Sequence, residues 1–445
     1  MHQNKIGKLQ NHKQIIKLAF PIILANAATP LLGLADTFAI GQTGIATHLG
    51  AIALGSLIFN FVYWGFGFLR MGTTGFVAQA NGADNEYLVK LILTRSMFIG
   101  FVIGMVLVLL QSFISSFAMY VLDGSEELKI LVKDFFGIRI WGAPATLITY
   151  SLLGALIGLG KTKKILWIQL FLNGVNISLN LFFVLQLQWG VKGVALGTLI
   201  AECATVLFAW FILQKELGFN VLSFFVAAKK EVLNRDSLWK MMSVNTDIML
   251  RTLALLGGFA WFANQGAKFG DTTLAANHIL LQFVSLSAFF LDGYAYVLEM
   301  FTGKAIGKKD PVYFERQFKD SNQIAAVTAL LLALLIVICG HSGIYFLTKD
   351  EGVRQVANQY VYFSSVYVLC SFFAFQLDGV FIGATKSKEM RNASLISLFC
   401  FLISGYILVH FFGNTGLWLA FITYVLIRAV VLYVYLPAVK NSLKS

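Results

Sequence analysis

Apolar segments long enough to cross a bilayer recur from one end of this 445-residue chain to the other. A helical span needs about 20 apolar residues to cross roughly 30 Å of hydrocarbon, so this succession leaves no room for one large soluble core. Only 13% of the residues are charged, against roughly 25% in soluble domains, and the mean hydropathy is +0.75. Charged or Gly/Asn-rich breaks divide the runs into twelve candidate spans. Six lie at 15–41, 48–78, 91–121, 131–160, 165–187 and 190–214, and six at 238–268, 272–303, 317–347, 353–384, 391–412 and 415–438. The expected fold is an all-α polytopic membrane protein.

A net charge of +12 would suggest nucleic acid as the partner of a soluble protein. Here the basic residues cluster in every second loop. About 24 Lys and Arg fall on the N-terminal side and about 6 on the other, which places both termini in the cytoplasm. The expected location is therefore an inner (plasma) membrane, with lipid and not nucleic acid as the surrounding partner. The loops 41–48 and 412–415 carry no charge and suit the outer face. Lys5, Lys8, Lys13 and Lys17 before an apolar stretch ending Ala25-Asn26-Ala27 imitate a signal peptide. The run continues to about Gly41, long enough to span, and reads as an uncleaved first helix. Cys203, Cys339, Cys370 and Cys400 all lie in apolar segments without CxxC pairing, so they read as small packing residues.

Residues 215–237 form the longest connector and divide the chain into 1–214 and 238–445, each with six spans. An internal repeat supports the division. Gly158-Leu-Gly-Lys-Thr-Lys163 recurs as Gly383-Ala-Thr-Lys-Ser-Lys388, an offset of 225 (158 to 383). Gln79-Ala-Asn-Gly82 faces Lys304-Ala-Ile-Gly307 at the same offset, and Gly190-Val-Lys-Gly193 echoes Gly413-Asn-Thr-Gly416 with a two-residue slip. An even number of spans per half makes the repeats parallel, with cargo expected between them. The stretch before Thr162 is not a phosphate loop, because Ala155 stands where the motif needs its first glycine.

Ionisable groups at membrane depth cost several kcal/mol, so each is a functional candidate. The first half offers Asp36 and Glu202; the second offers Asp247, Arg251, Asp292, Glu299 and Asp378. Asp36 follows Pro30 and Gly33. Proline lacks an N–H and its ring clashes with the carbonyl of Asn26, so the first helix should bend there, with Gly33 adding freedom. Burial disfavours an ionised carboxyl, which suits an acid that takes up and releases a proton. On the fifth span Gln169, Asn173, Asn176 and Asn180 share one helical face, and Thr198 of the sixth could join them. A single intramembrane amide commonly ties helices together; four in one stripe point to a cavity wall. On the eighth span His278, Ser285, Asp292 and Glu299 recur every seven residues, with Gln282 and Tyr296 between. A helix drifts only about 20° per heptad, so these share a face too. Arg251 and Asp378 are candidate partners there, and a static ion-pair network is the competing reading. His278 is expected near the outer surface. Arg70 and Arg139 read as snorkelling or pairing near helix ends.

Taken together, Pro30-Leu-Leu-Gly-Leu-Ala-Asp36-Thr37, Thr273-Leu-Ala-Ala-Asn-His278, Leu291-Asp292-Gly293 and above all Asp378-Gly-Val-Phe-Ile-Gly-Ala-Thr-Lys-Ser-Lys-Glu-Met-Arg-Asn392 carry a resemblance. The chain resembles the multidrug and toxic compound extrusion (MATE) family, in its DinF-like branch, over essentially its whole length. The resemblance implies a V-shaped transporter whose two pseudo-symmetric six-helix lobes rock around a central chamber. It also implies export of amphipathic, often cationic compounds in exchange for H⁺ or Na⁺, with no other cofactor. It further implies an N-lobe coupling site built from an acid on the first helix, an Asn and an acid one turn apart on the fifth, and a Thr on the sixth. Asp36, Asn176 and Thr198 match; Asn180 stands in place of the second acid. A cage lacking that carboxylate suits Na⁺ less well, so H⁺ coupling through Asp36, with bending at Pro30, is the expectation. Asn173, Glu202, Arg251, Asp292, Tyr296, Glu299 and Asp378 are the expected chamber or second polar site, and the chain is expected to act as a monomer.

The alternatives are a Na⁺-coupled exporter, a lipid-linked cargo flippase of the same superfamily, a channel, or an intramembrane enzyme. The mostly acidic and amide character of the deep residues disfavours the flippase, and the pseudo-symmetric halves favour alternating access over a channel. No HExxH, GxSxG or Cys–His pairing supports an enzyme.

Overall fold

The computed structural model describes residues 2–42, 45–121 and 125–444. Thr43 and Gly44 of the uncharged 41–48 loop lie outside the described residues, as do the side chains at 2–9 (with Lys5 and Lys8), 31, 32, 35, 46 and 121. Among the described residues every regular element is a helix.

The first span is α1 (His2–Ala27) and α2 (Thr29–Gly41), parted at Ala28. Pro30, in the first turn of α2, supplies no N–H to continue α1, and Pro21 removes a further helical bond inside α1. The second span joins α3 (Ala46–Gly65) and α4 (Phe68–Gly82), and the third joins α5 (Glu86–Leu109) and α6 (Gln111–Val121). The fourth is α7 (Glu126–Arg139), a 3₁₀ turn at Ile140–Gly142, and α8 (Ala143–Gly158), interrupted where Pro144 opens α8. The fifth is α9 (Thr162–Leu181), ending in a π-helical turn at Phe182–Gln186, and the sixth is α10 (Gly190–Leu217). Two short helices, α11 (Val221–Ala227) and α12 (Lys229–Val232), follow. Then come α13 (Arg235–Ala267), α14 (Asp271–Lys308), α15 (Pro311–Leu347), α16 (Glu351–Gly383) and α17 (Ser387–Ser442).

Nine helices among the described residues are long and apolar enough to span by length and composition. The remaining three spans have physical reasons to escape that measure. The first is cut at Ala28, α13 carries Asn245, Asp247 and Arg251 in its middle, and α17 holds two spans turned at Gly413 (φ 56, ψ −133).

The chain forms two compact units. Leu24–Val77 with Asn85–Met241 makes the N-terminal unit, where the stacked rings of Phe59 and Phe136, 5.2 Å apart, fill the core. Met242–Ser445 makes the C-terminal unit together with Met1–Ile23 and Ala78–Asp84. Its core is aromatic, with Tyr367 stacked on Phe421 at 4.4 Å and Trp418 edge-on to Phe262 at 5.1 Å. The boundary between the units thus falls inside α1. The first half of α1 is tied to α15, where Asn11 donates to Asp320 at 2.7 Å and accepts from Gln317 at 3.1 Å.

The internal repeat is written in the backbone. Asp84 and Lys309, 225 apart, both have φ 53 and precede caps Asn85 and Asp310, which accept from the N–H of Leu88 and Tyr313. Gly160 and Thr385, also 225 apart, both turn left-handed, as do the slipped pair Gly190 and Gly413. Within the C-terminal unit the two copies meet. A Cβ on Gly82 would collide with the carbonyl oxygen of Lys304, and one on Gly307 with that of Gln79. Each glycine faces the repeat equivalent of the residue that the other faces, so the contact is reciprocal, as a pseudo-two-fold relation requires.

Candidate functional site

In the N-terminal unit α9 presents its amide stripe to α2 and α10. Asn180 donates one N–H to Asp36 Oδ1 at 2.6 Å and the other to Asn176 Oδ1 at 3.1 Å. Asn176 in turn donates to Thr198 Oγ1 at 2.9 Å, and that hydroxyl donates to the carbonyl of Val194 at 2.9 Å. Asp36 is 5% exposed, and Asn176, Asn180 and Thr198 are buried with it. Asp36, Asn180, Asn176 and Thr198, brought together as a candidate set by the sequence, therefore form one hydrogen-bonded chain, with Asp36 its only carboxylate. Gly197 makes room for it, since a Cβ there would collide with Asn180 Oδ1.

The same stripe reaches the break in the first span. Asn173 donates to the carbonyl of Ala28 at 3.0 Å and accepts from Gln169 at 3.4 Å. Ala28 is the residue that opens α2, so Asn173 gives the carbonyl at the helix break a side-chain donor from a neighbouring helix. A Cβ added to Gly33 would meet nothing within 4 Å, so packing does not demand a glycine there, while Thr37 donates to its carbonyl at 2.8 Å. One face of α9 thus holds both the acid and the break.

Next to the break lies a cavity of about 570 Å³ whose wall includes Thr29, Tyr63, Trp64, Arg139, Tyr150, Gln169 and Glu202. This volume is within the usual range for small-molecule sites. Arg139 Nη2 stands 3.7 Å from Glu202 Oε1 and its guanidinium lies 4.6 Å from the Phe59 ring centre. Its charge acts on both Glu202 and Asp36. The sequence assigns Arg139 to a helix end. It does end α7, but only because the fourth span breaks there, and the break turns Arg139 onto the cavity wall. Glu202, one turn beyond Thr198, lines the same cavity, where Gly142 gives it space.

The C-terminal unit arranges its acids differently. Asp378 Oδ2 accepts from Arg251 Nη2 and, at 3.1 Å, from Arg428 Nη2. All three side chains are buried. Sequence reasoning misses Arg428, although it is the one charged residue between 415 and 438. Asp292, half-buried on α14, contributes to the field at Arg428. Glu299 is fully buried on the same helix, Tyr296 is half-buried, and His278 is exposed at its far end, 3.2 Å from Gln282. Asp247, one turn before Arg251, accepts from Arg391 at 2.6 Å and from Ser387 at 2.9 Å. The stretch 378–392 therefore fastens the middle of α13 through Asp378 and through Ser387 and Arg391, which gives that motif a structural reason.

Among the described residues no three His, Cys, Asp or Glu side chains gather as a metal-holding group. The four cysteines are unbonded, with Cys203 and Cys339 exposed on the surface instead of packed as expected.

The MatE family model matches residues 21–182 and 259–407. The chain is 32% identical over 416 residues to the DNA damage-inducible protein F of Escherichia coli (strain K12), covering 94% of this chain and 90% of that protein. A probable multidrug resistance protein NorM of Halalkalibacterium halodurans is 22% identical, covering 92% and 91%. Among solved structures, a MOP superfamily transporter from Pyrococcus furiosus, described as having a binding pocket of reverse polarity, superimposes with a TM-score of 0.86 at 18% identity, covering 98% and 97%. A MATE protein in its bent conformation gives 0.85 at 19% identity with the same coverage. These likenesses, with the twelve spans and the repeat, make the chain a transporter and not an enzyme: it belongs to the MATE family of multidrug and toxic compound extrusion proteins.

Proposed function

We propose that this protein exports amphipathic, often cationic compounds in exchange for H⁺, with Asp36 as the group that takes the proton. The observation that carries this reading is the direction of the amides. Asn180 turns N–H groups, not oxygens, toward Asp36 and Asn176. A Na⁺ site needs converging hard oxygens, and here a donor occupies the place where a second acid would add one. A lone buried carboxylate held by neutral donors needs only a proton to become neutral.

Ionised Asp36 accepts a charge-assisted bond, roughly twice as strong as its neutral counterpart. Losing that increment on protonation changes the balance by about 1 kcal/mol, a factor of about five. The larger lever is desolvation, which costs several kcal/mol for a buried ion and vanishes for the neutral acid. A protonated Asp36 can donate to Asn180 Oδ1, which has no hydrogen-bond partner beside Gly197. A contracted, drier arrangement around α2 thereby becomes accessible. Because Thr29 lines the cavity next to Pro30, movement at the break reshapes the wall against which cargo rests.

Cargo binds beside Glu202 and Arg139, where a cationic group competes with the guanidinium for the carboxylate. The halves 1–214 and 238–445, joined by 215–237, act as the rocking lobes of a monomer in an inner membrane with both termini cytoplasmic. The test is cargo efflux by purified protein in vesicles under an imposed pH gradient. Asp36→Asn should reduce the rate at least ten-fold while the protein stays folded; undiminished efflux would overturn the assignment.

A further inference from the structure

We propose that the segment following α10 is a binding site for anionic phospholipid, formed by Lys215, Phe211 and Phe219 with the outward faces of α11 and α12. At about 1.5 Å per residue the 28 residues of α10 run roughly 42 Å, longer than the ~30 Å hydrocarbon layer. Its last turns therefore emerge at the headgroups. There Phe211 and Lys215, one turn apart, both face outward, and Gly218 (φ 62) turns the chain out of the helix. Asn220 then caps α11 by accepting from the N–H groups of Leu222 and Ser223.

The orientation of α11 is fixed by its inner face. Val221 is buried, Phe224 meets Tyr87 at 5.6 Å, and Phe225 meets Phe98 at 5.9 Å. Arg95 donates to the carbonyls of Glu231 at 2.6 Å and Val232 at 3.2 Å, which pins α12 to α5. With that face committed, Leu222 (63% exposed) and Val226 (75%) point away from the protein one turn apart. Trp239 (75%) is exposed nearby in sequence, and Lys229, Lys230 and Lys240 are exposed as well. Along the last turns of α10 and the link to α11 lies an open surface hollow of about 440 Å³, lined by Phe211, Gln214, Lys215, Gly218, Phe219 and Asn220.

Exposed aliphatic side chains, a tryptophan and lysines within one short segment are the chemistry of a membrane interface. Leu207 and Phe211 carry the exposed apolar strip of α10 directly into the hollow, so whatever fills it shares the lipid environment of that helix. Acyl chain runs along Phe211 and Phe219, and the phosphate meets Lys215. Each lysine close to an anionic surface strengthens binding about fivefold, so Lys215, Lys229 and Lys230 together give a strong preference over zwitterionic lipid.

The test uses the full-length purified protein reconstituted into phosphatidylcholine with and without phosphatidylglycerol. Native mass spectrometry reads which lipid is retained as detergent is raised. Wild type should retain phosphatidylglycerol at least ten-fold over phosphatidylcholine, and Lys215→Gln/Lys229→Gln/Lys230→Gln should bring the ratio near unity. Equal retention by wild type, or a preference untouched by the triple change, overturns the proposal. A second measurement does not depend on those variants. The fluorescence lost in Trp239→Phe should belong to a tryptophan quenched by brominated lipid; quenching by aqueous iodide instead would mean a face left to water or to a protein partner, and would also overturn it.

Discussion

Asp36 and Asp378 are both buried acids on membrane helices of one pseudo-symmetric transporter, yet the groups that hold them differ in charge. Asp36 is held by a neutral amide, itself held by a second amide and a hydroxyl. Asp378 is held between two guanidinium groups. Removing the charge of Asp36 leaves no cation bonded to it unpaired. Removing that of Asp378 strands Arg251 and Arg428 in the interior. One carboxylate can therefore act as a switch, and the other as a fastening.

The largest contrast is expected in stability. Asp378→Asn should destabilise by about 3–5 kcal/mol, since breaking a buried ion pair leaves uncompensated charge. Asp36→Asn should stay within about 1 kcal/mol of wild type, the scale of one hydrogen bond. Thermal unfolding in one detergent measures both, and equal losses would break the comparison. Next comes Gly197→Ala. Its Cβ would press on Asn180 Oδ1, costing about 1–3 kcal/mol as overpacking does, and pH-driven efflux should fall with it. No change in efflux would mean that Asn180 need not sit where it does.

A smaller effect belongs to the break in the first span. Asn173→Ala removes the donor to Ala28, a loss of about 1 kcal/mol. Hydrogen exchange should quicken in peptides covering 24–34 and remain unchanged in those covering α16. The smallest is a pH effect outside the membrane. Lys161 and Lys164 both hydrogen-bond Glu216 and hold its carboxyl below the usual range. A depressed folded value means that this tie is fully present above about pH 4.3 and is lost as pH falls through the folded value. Exchange in the 160–165 turn should rise only in that acid window, and in Glu216→Gln it should lose the dependence.

Much of this is legible in one dimension. A 3.6-residue period puts Gln169, Asn173, Asn176 and Asn180 on one face whatever that face meets, so the stripe and its match to Asp36 are visible in the sequence. The repeat is visible too, because left-handed turns and helix caps restrict residue choice at fixed offsets. Three things are not. Arg139 reaches the cavity because a 3₁₀ turn interrupts the fourth span, and apolar periodicity does not register such a break. The partner of Asn173 is a backbone carbonyl, which no side-chain pattern encodes. Arg428 is legible in principle as a solitary charge in an apolar span, but only its two neighbours reveal that it shares Asp378 with Arg251.

A lone, neutrally held carboxylate should exchange a proton and not a metal cation. Vesicles containing the purified protein can be given a pH gradient with no Na⁺, or a Na⁺ gradient at equal pH, and cargo movement followed in each. Coupling through Asp36 predicts transport in the first case and none above background in the second. Transport driven by Na⁺ alone, with no response to the pH gradient, would contradict it.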